Sequence, residues 1–263
     1  MTGQETSQTT GRPTGQVALV TGAGRRIGRA IALALGRAGY AVAVHYGRSR
    51  AEADSVVREI RQPGGKAAAF AADLAEEHAP AKLIAAVESA LGPVTLLVNS
   101  ASLFEADTLA SLTPDLWQAH MAVNLRAPIF LTQQMAARLS EGGRGAVINL
   151  LDQRVRKLTP DFFSYTLAKT ALATATYTMA QALAPRIRVN GVAPGPTLPS
   201  KRQTEEAFAR QSAATLLGHG PSVEDIAEAV LYLARAESVT GEVLAVDGGQ
   251  HLAWQTPDTE IGE

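Results

Sequence analysis

Short runs of β-branched and aliphatic residues alternate along the chain with longer, Ala- and Leu-rich stretches of helical length. The runs fall at residues 17–20, 41–45, 67–70, 94–98, 146–150, 187–192 and 243–246, giving seven predicted strands. Several, such as Val17-Ala18-Leu19-Val20, are apolar at every position, as strands covered on both faces are. Strands alternating with helices imply right-handed βαβ units, so the pattern predicts an α/β fold with a parallel sheet between two helical layers. No linker or repeat divides residues 16–263, which read as one domain. Residues 1–15, polar and rich in Thr, Gln and Gly, read as a disordered tail. The Pro-rich connection at residues 196–220, with a short helix predicted at 205–211, reads as a lid.

Composition narrows the function. A 46% hydrophobic and 19% charged chain is globular, and its net charge of −1 offers no basic field for nucleic acid. No stretch reaches the roughly 20 apolar residues of a membrane span. Zero cysteines remove disulfides, thiolate nucleophiles and thiolate zinc sites, and fit a reducing, cytoplasmic setting. The five histidines, at positions 45, 78, 120, 219 and 251, lack paired ligand spacing; no metal site is expected, and most should lie at the surface.

Thr21-Gly22-Ala23-Gly24-Arg25-Arg26-Ile27-Gly28 closes the first strand and opens the first helix. Glycines there let backbone N–H groups approach a pyrophosphate at the helix N-terminus, although a glycine cluster can also be a tight structural turn. An NAD site would place an acidic residue after the second strand, but that strand runs into His45-Tyr46-Gly47-Arg48-Ser49-Arg50. Arg48 and Ser49, with Arg25 nearby, suit a 2′-phosphate instead, so NADP(H) is the expected cofactor. The alternative reading makes Arg48 and Arg50 solvated charges opening the next helix.

Tyr165 and Lys169 are four apart in a predicted helix at 162–183, so they share a face. An ammonium about 4 Å from the phenol, at an effective dielectric near 20, favours the phenolate by ~4 kcal/mol, or ~3 units from a pKa of ~10. That predicts a tyrosine tuned toward neutrality, suited to general acid catalysis. Tyr-x-x-x-Lys also arises by chance, and what singles out this pair is its place after the fifth strand.

Together these residues resemble the short-chain dehydrogenase/reductase family across residues 16–252. The likeness rests on the Thr21–Gly28 turn, Asp73, Asn99-Ser100-Ala101-Ser102, Asn124, Tyr165 with Lys169, Pro194-Gly195 and Asp247-Gly248-Gly249. It implies a Rossmann-type fold with sheet order 3-2-1-4-5-6-7 and a homotetramer. It further implies that Tyr165 donates or accepts the proton, that Lys169 also binds the nicotinamide ribose, and that Asn124 supports a relay water. Gly22, Arg25, Arg26, Ile27, Gly28, His45, Tyr46, Arg48, Ser49, Asp73, Leu74, Asn99, Ser100, Ala101, Pro194, Gly195 and Thr197 would join Tyr165 and Lys169 around the cofactor, Asp73 by the adenine and Thr197 by the carboxamide.

Two departures from the family pattern are informative. Arg26 replaces the usual third glycine, and Asp152 stands where the catalytic serine would be, thirteen residues before Tyr165. Both resemble the pteridine reductase and dihydromonapterin reductase branch, as do His45-Tyr46-Gly47-Arg48-Ser49 and Phe104, the aromatic that would cover the pterin. An ionised carboxylate repels a developing oxyanion but accepts hydrogen bonds from ring N–H and amino groups. Asp152 is therefore assigned to orientation and relay, with Tyr165 as the immediate donor. Asp152 alternatively caps a strand end or pairs with Arg154 or Arg156. The expected substrate is a small molecule met by Arg26, Ser102, Phe104, Asp152 and Tyr165, and the expected reaction is NADPH-dependent reduction of a pterin-like C=N bond. A carbonyl reductase of the β-ketoacyl or sugar type is the alternative enzyme, and a non-catalytic nucleotide-sensing binder the alternative of another class. His219 and Phe208 would lie in or beside the lid, Trp117 in the core or an interface, and Trp254 after the last strand.

Overall fold

A computed structural model describes residues 15–254; the tail read at residues 1–15 lies, except for Gly15, outside that range. Seven strands form one parallel sheet: β1 (Val17–Val20), β2 (Ala41–Tyr46), β3 (Ala67–Ala71), β4 (Val94–Asn99), β5 (Gly145–Leu150), β6 (Ile187–Pro194) and β7 (Val243–Val246). Their order is β3-β2-β1-β4-β5-β6-β7, with every neighbouring pair parallel, as expected. Most strands run one or two residues further at their carboxyl ends than the apolar pattern predicted. The added positions, Tyr46, Ala71, Asn99 and Ala193-Pro194, continue the backbone ladder toward the carboxyl edge of the sheet.

Alternation within each strand sorts its side chains between two cores. In β1, Ala18 and Val20 face a cluster formed with α1 (Arg26–Arg37), α2 (Arg50–Arg61) and a C-terminal helix, Val223–Arg235. Val17 and Leu19 face the opposite cluster, built with α3 (Ala79–Leu91) and a helix at Ala127–Arg138. Period-two alternation therefore buries both faces, which explains the uninterrupted apolar runs.

The remaining helices are α4 (Pro114–Met121), α5 (Ala127–Arg138), α6 (Phe163–Leu183), α7 (Glu205–Ala213) and α8 (Val223–Arg235). Between α4 and α5 the chain widens into one π-helical stretch, Ala122–Arg126, which carries Asn124. Such bulges recur at functional sites, and nothing in the hydrophobic period announces this one. The start of α8 carries a capping box, with Ser222 accepting from the Asp225 N–H and Asp225 accepting from the Ser222 N–H. Its far end is closed by Arg188 of β6, whose guanidinium donates to the carbonyls of Leu233 and Ala234 at 2.8 Å and Val239 at 3.2 Å.

Arg188 satisfies terminal helix carbonyls far from the carboxyl ends of the strands. Charged hydrogen bonds contribute roughly 1.5 to 3 kcal/mol, so Arg188→Met should lower stability by about 2 kcal/mol in urea unfolding while leaving cofactor affinity unchanged. An unchanged unfolding midpoint would contradict this assignment.

Candidate active site

The carboxyl ends of the strands open onto two contiguous hollows. The first, about 500 Å³, gathers Gly22, Arg25, Arg26, Ile27 and Gly28 from the turn after β1. It adds His45, Arg48 and Ser49 after β2, Asp73 and Leu74 after β3, and Ser100 and Ala101 after β4. The second, about 410 Å³, is bordered by Ser102, Phe104, Asp152, Tyr165 and Lys169, with Pro194, Gly195 and Thr197 after β6. Arg26, Ile27, Ser100, Ser102, Phe104 and Tyr165 border both, so the hollows form one cleft.

The turn after β1 is built for close approach. Gly22 has φ +66, and a Cβ there would lie 2.9 Å from the Ala101 Cα; a Cβ on Gly28 would lie 2.3 Å from the Gly22 carbonyl oxygen. Thr21 Oγ1 accepts the N–H groups of Ser100 and Ala101, each at 2.9 Å, locking the end of β4 beneath the turn. No side chain caps the start of α1 and its first turn holds no acid, which leaves its N-terminal dipole available to an anion. Arg26 donates to the carbonyls of Leu198 at 3.2 Å and Pro199 at 2.9 Å, tying the turn to the 196–220 connection.

His45 and His120 correct the expectation of surface histidines, being 2% and 0% exposed. His45 Nδ1 accepts the Gly22 N–H at 3.0 Å while Nε2 donates to the Ala72 carbonyl at 3.1 Å. Both ring nitrogens are thereby engaged, and His45 braces the turn from below. His219, by contrast, is exposed and away from both hollows, whereas Phe208 borders the second. Trp117 is half-buried and Trp254 exposed.

Three expected residues line neither hollow. Tyr46 is half-buried at the end of β2. Asn99 donates to Asn149 Oδ1 at 2.8 Å, and Asn149 donates to Thr176 Oγ1 at 2.9 Å, a brace joining β4, β5 and α6. Asn124 is fully buried; its Oδ1 accepts from the Leu103 N–H at 2.9 Å and Ser102 Oγ at 3.2 Å, and its Nδ2 donates to the Leu103 carbonyl at 2.8 Å. These bonds make Asn124 the anchor of the loop that carries Phe104.

Tyr165 Oη donates to Asp152 Oδ2 at 3.0 Å. Burial, then the Asp152 charge and this bond, push the phenol well above its ordinary value. The expectation of a phenol drawn toward neutrality by Lys169 is thus overturned. Lys169 Nζ donates to the Leu150 carbonyl at 2.6 Å and sits 5.8 Å from the Tyr165 ring centroid, while the opposing carboxylate is in direct contact. Burial in turn lowers Lys169 to about 8. Asp152 also accepts from the Arg154 N–H at 2.8 Å and pairs with the Arg154 guanidinium at 3.3 Å. The capping and Arg154-pairing reading therefore holds together with the Tyr165 contact.

The sequence did not reveal the aromatic wall. Phe104 stacks on Phe162 at 4.3 Å and 7°, and meets Tyr165 edge-on at 4.7 Å. Arg202 lies 5.5 Å from the Phe104 ring centroid, pairs with Glu105 at 2.6 Å and donates to the Phe104 carbonyl, fastening the 196–220 connection over this wall. Phe162 has φ +55, a left-handed conformation that a propensity-based reading assigns to glycine or asparagine.

A family model described as enoyl-(acyl carrier protein) reductase matches residues 22–251. The chain belongs to the short-chain dehydrogenase/reductase family. It is an oxidoreductase of that family, 37% identical over 243 residues to an uncharacterized oxidoreductase of Methylorubrum extorquens, covering 89% of this chain and 97% of the relative. The 3-oxoacyl-[acyl-carrier-protein] reductase FabG of Staphylococcus epidermidis is 33% identical over 89% of this chain and 98% of its own. Among solved structures, the FolM alternative dihydrofolate reductase 1 of Brucella canis, complexed with NADP, is similar at 47% identity and a TM-score of 0.91, covering 95% of this chain and 99% of that one. The angucycline C-6 ketoreductase LanV with bound NADP is similar at 33% identity and a TM-score of 0.85, covering 92% and 98%.

Burial lowers His45 from 6.5 to about 4. Between those values the unfolded chain binds a proton that the folded chain does not, so stability falls as pH drops through the window, by about 3 kcal/mol below pH 4. His45→Gln lacks this term. Urea unfolding should show any stability advantage of the unmodified protein over His45→Gln shrinking between pH 7 and pH 4.5, and a constant difference would contradict a neutral, buried imidazole.

Proposed function

We propose that the protein is an NADPH-dependent reductase of a pterin-like substrate, adding hydride and a proton across a C=N bond. Asp152 carries this reading. Where a ketone reductase offers a hydroxyl to a developing oxyanion, this cleft offers a carboxylate in contact with the Tyr165 phenol. A carboxylate repels an alkoxide-like oxygen but accepts from ring N–H and amino groups, as a nitrogen heterocycle requires. Phe104, with Phe162 stacked on it, borders the same hollow and gives it an aromatic wall for such a ring. The likeness to a FolM alternative dihydrofolate reductase supports the same substrate class.

The residues present fit an NADP-type cofactor. No acid follows β2, and Arg48 is exposed with no ion-pair partner among the described residues, whereas Arg25 and Arg50 are turned toward Glu52 and Asp54. Arg48 and Ser49 would hold the 2′-phosphate, the Gly22–Gly28 turn the pyrophosphate, Lys169 the nicotinamide ribose, and Thr197 and Gly195 the carboxamide side. When bound, NADPH supplies the hydride. Tyr165, kept protonated by its burial, would give its proton to the substrate nitrogen and be replenished from solvent. Lys169 at neutral pH would favour the transient phenolate, and Asp152 would orient the heterocycle and the phenol together. Arg26, at the junction of both hollows, would meet the substrate's polar edge. Asn124 supports the reaction by holding the Ser102–Leu103 backbone.

A homotetramer in the cytoplasm completes the proposal, in keeping with the family's habit and the absence of cysteine. The second reading, carbonyl reduction, is favoured by the likeness to FabG and LanV. The two readings separate at Asp152. Asp152→Ser restores an oxyanion donor worth up to about 3 kcal/mol and removes the acceptor for pterin N–H groups. The dihydrobiopterin-to-ketone ratio of kcat/KM should therefore fall at least 10-fold in that variant, and a rising ratio would favour carbonyl reduction. In Tyr165→Phe, NADPH binding should persist while kcat drops at least about 100-fold; undiminished turnover would make Tyr165 dispensable as the donor.

A further inference from the structure

Behind the cleft lies a buried polar chain that the reaction above does not use. Asp107, His120 and Ser164 are 3%, 0% and 0% exposed and come from three separate places: the loop after β4, the last turn of α4 and the first turn of α6. The Asp107 carboxylate accepts from the Ser164 N–H at 3.2 Å and, more closely, from Ser164 Oγ. Ser164 Oγ lies 2.6 Å from His120 Nδ1, and His120 Nε2 accepts the Glu105 N–H at 3.3 Å. That last bond fixes the tautomer: Nδ1 carries the proton and donates to Ser164, which donates its own to Asp107. Burial lowers His120, in keeping with a neutral ring.

The chain is not a nucleophile awaiting a substrate. Ser164 sits between the histidine and the carboxylate rather than at the end of the relay, and its hydroxyl reaches neither hollow.

Its two ends point to another role. Glu105 and Asp107 flank a short stretch with no helix or strand of its own, and that stretch follows directly on Phe104. Ser164 precedes Tyr165. The start of α6 has no side-chain cap from Phe162, so Asp107 satisfies the orphaned Ser164 N–H from 57 residues away, while the Asp107 carbonyl accepts the Phe163 N–H at 3.3 Å. The His120 ring also stands 6.1 Å from that of Tyr165.

We propose that Asp107, Ser164 and His120 are positioning residues that fasten the Phe104 segment to the first turn of α6, setting the ring that covers the substrate relative to the phenol that protonates it. The inference rests on the reading of Tyr165 as proton donor. A misplacement of about 1 Å at a reacting group costs on the order of 100-fold in rate, so a rigid link between these two side chains has a kinetic consequence.

The test uses Ser164→Ala, His120→Leu and His120→Gln, with dihydrobiopterin as the probe and Tyr165→Phe assayed in parallel. Ser164→Ala and His120→Leu should bind one NADPH per chain at unchanged affinity, while kcat per bound NADPH falls at least 10-fold. His120→Gln, whose amide supplies one donor and one acceptor, should recover to within about 3-fold of the unmodified enzyme. A chain that only stabilised the fold would leave turnover per bound NADPH intact. Turnover near the unmodified value in Ser164→Ala, with Tyr165→Phe inactive, overturns the positioning role alone; an active Tyr165→Phe overturns the donor assignment and this role with it. Should the variants not fold, amide hydrogen exchange in the unmodified protein decides. The Glu105 and Ser164 amides should exchange at least 1,000-fold more slowly than exposed loop amides, and loop-like exchange overturns the proposal.

Discussion

A parallel sheet buried on both faces leaves the carboxyl ends of its strands as the place where loops can gather without disturbing a core. Alternation commits the strands to apolar clusters, so the connections that build the cleft gather beyond Val20, Tyr46, Ala71, Asn99, Leu150 and Pro194. The glycine turn, the Phe104 loop, Asp152 and the Pro194–Thr197 stretch all leave the sheet at that edge. Tyr165 and Lys169 reach it from α6, which packs against β6 and the turn after β5. The site is thus the product of the burial pattern, and its parts come from six connections that only the sheet brings together.

Within that frame the electrostatics turn on Asp152. A carboxylate against a buried phenol keeps the proton on the phenol, the state required of a donor in a reductive direction. Arg154 pairs with the same carboxylate, so the charge sits in a cleft with a cation on one side and a proton donor on the other. Burial is the larger cause of the raised phenol, and the carboxylate adds to it. The carboxylate also puts a hydrogen-bond acceptor at this edge of the cleft, where a serine would put a hydroxyl.

What was legible in the sequence follows from locality. The strands and the glycine turn are local patterns of period and composition, recovered to within two residues at the strand ends, whereas the sheet order came with the family resemblance. Most residues that border the first hollow follow a strand, which is where the family resemblance placed them, whereas Tyr46 and Asn99 end strands and border neither hollow. Two buried brackets were not, because their partners are far apart along the chain: His45 braces Gly22 through 23 residues, and Asp107 caps α6 through 57. The same holds for the Phe104–Phe162 stack, which needs a left-handed phenylalanine. The Tyr165 tuning was misjudged because helical spacing places Lys169 nearby but says nothing of how deeply the phenol is buried or what else touches it; burial first, then contact with Asp152, raises the phenol, while the ammonium is held by the Leu150 carbonyl.

The proposed selection of a nitrogen heterocycle over a ketone rests on the carboxylate in this cleft. The most direct measurement is NADPH oxidation by the unmodified protein with dihydrobiopterin, dihydromonapterin and dihydrofolate set against a β-ketoacyl thioester and a simple aliphatic ketone, compared as kcat/KM. At least one pterin should exceed every ketone by roughly 100-fold or more, the scale of a misplaced oxyanion charge in such a site. A ketone preferred over all three pterins would contradict it.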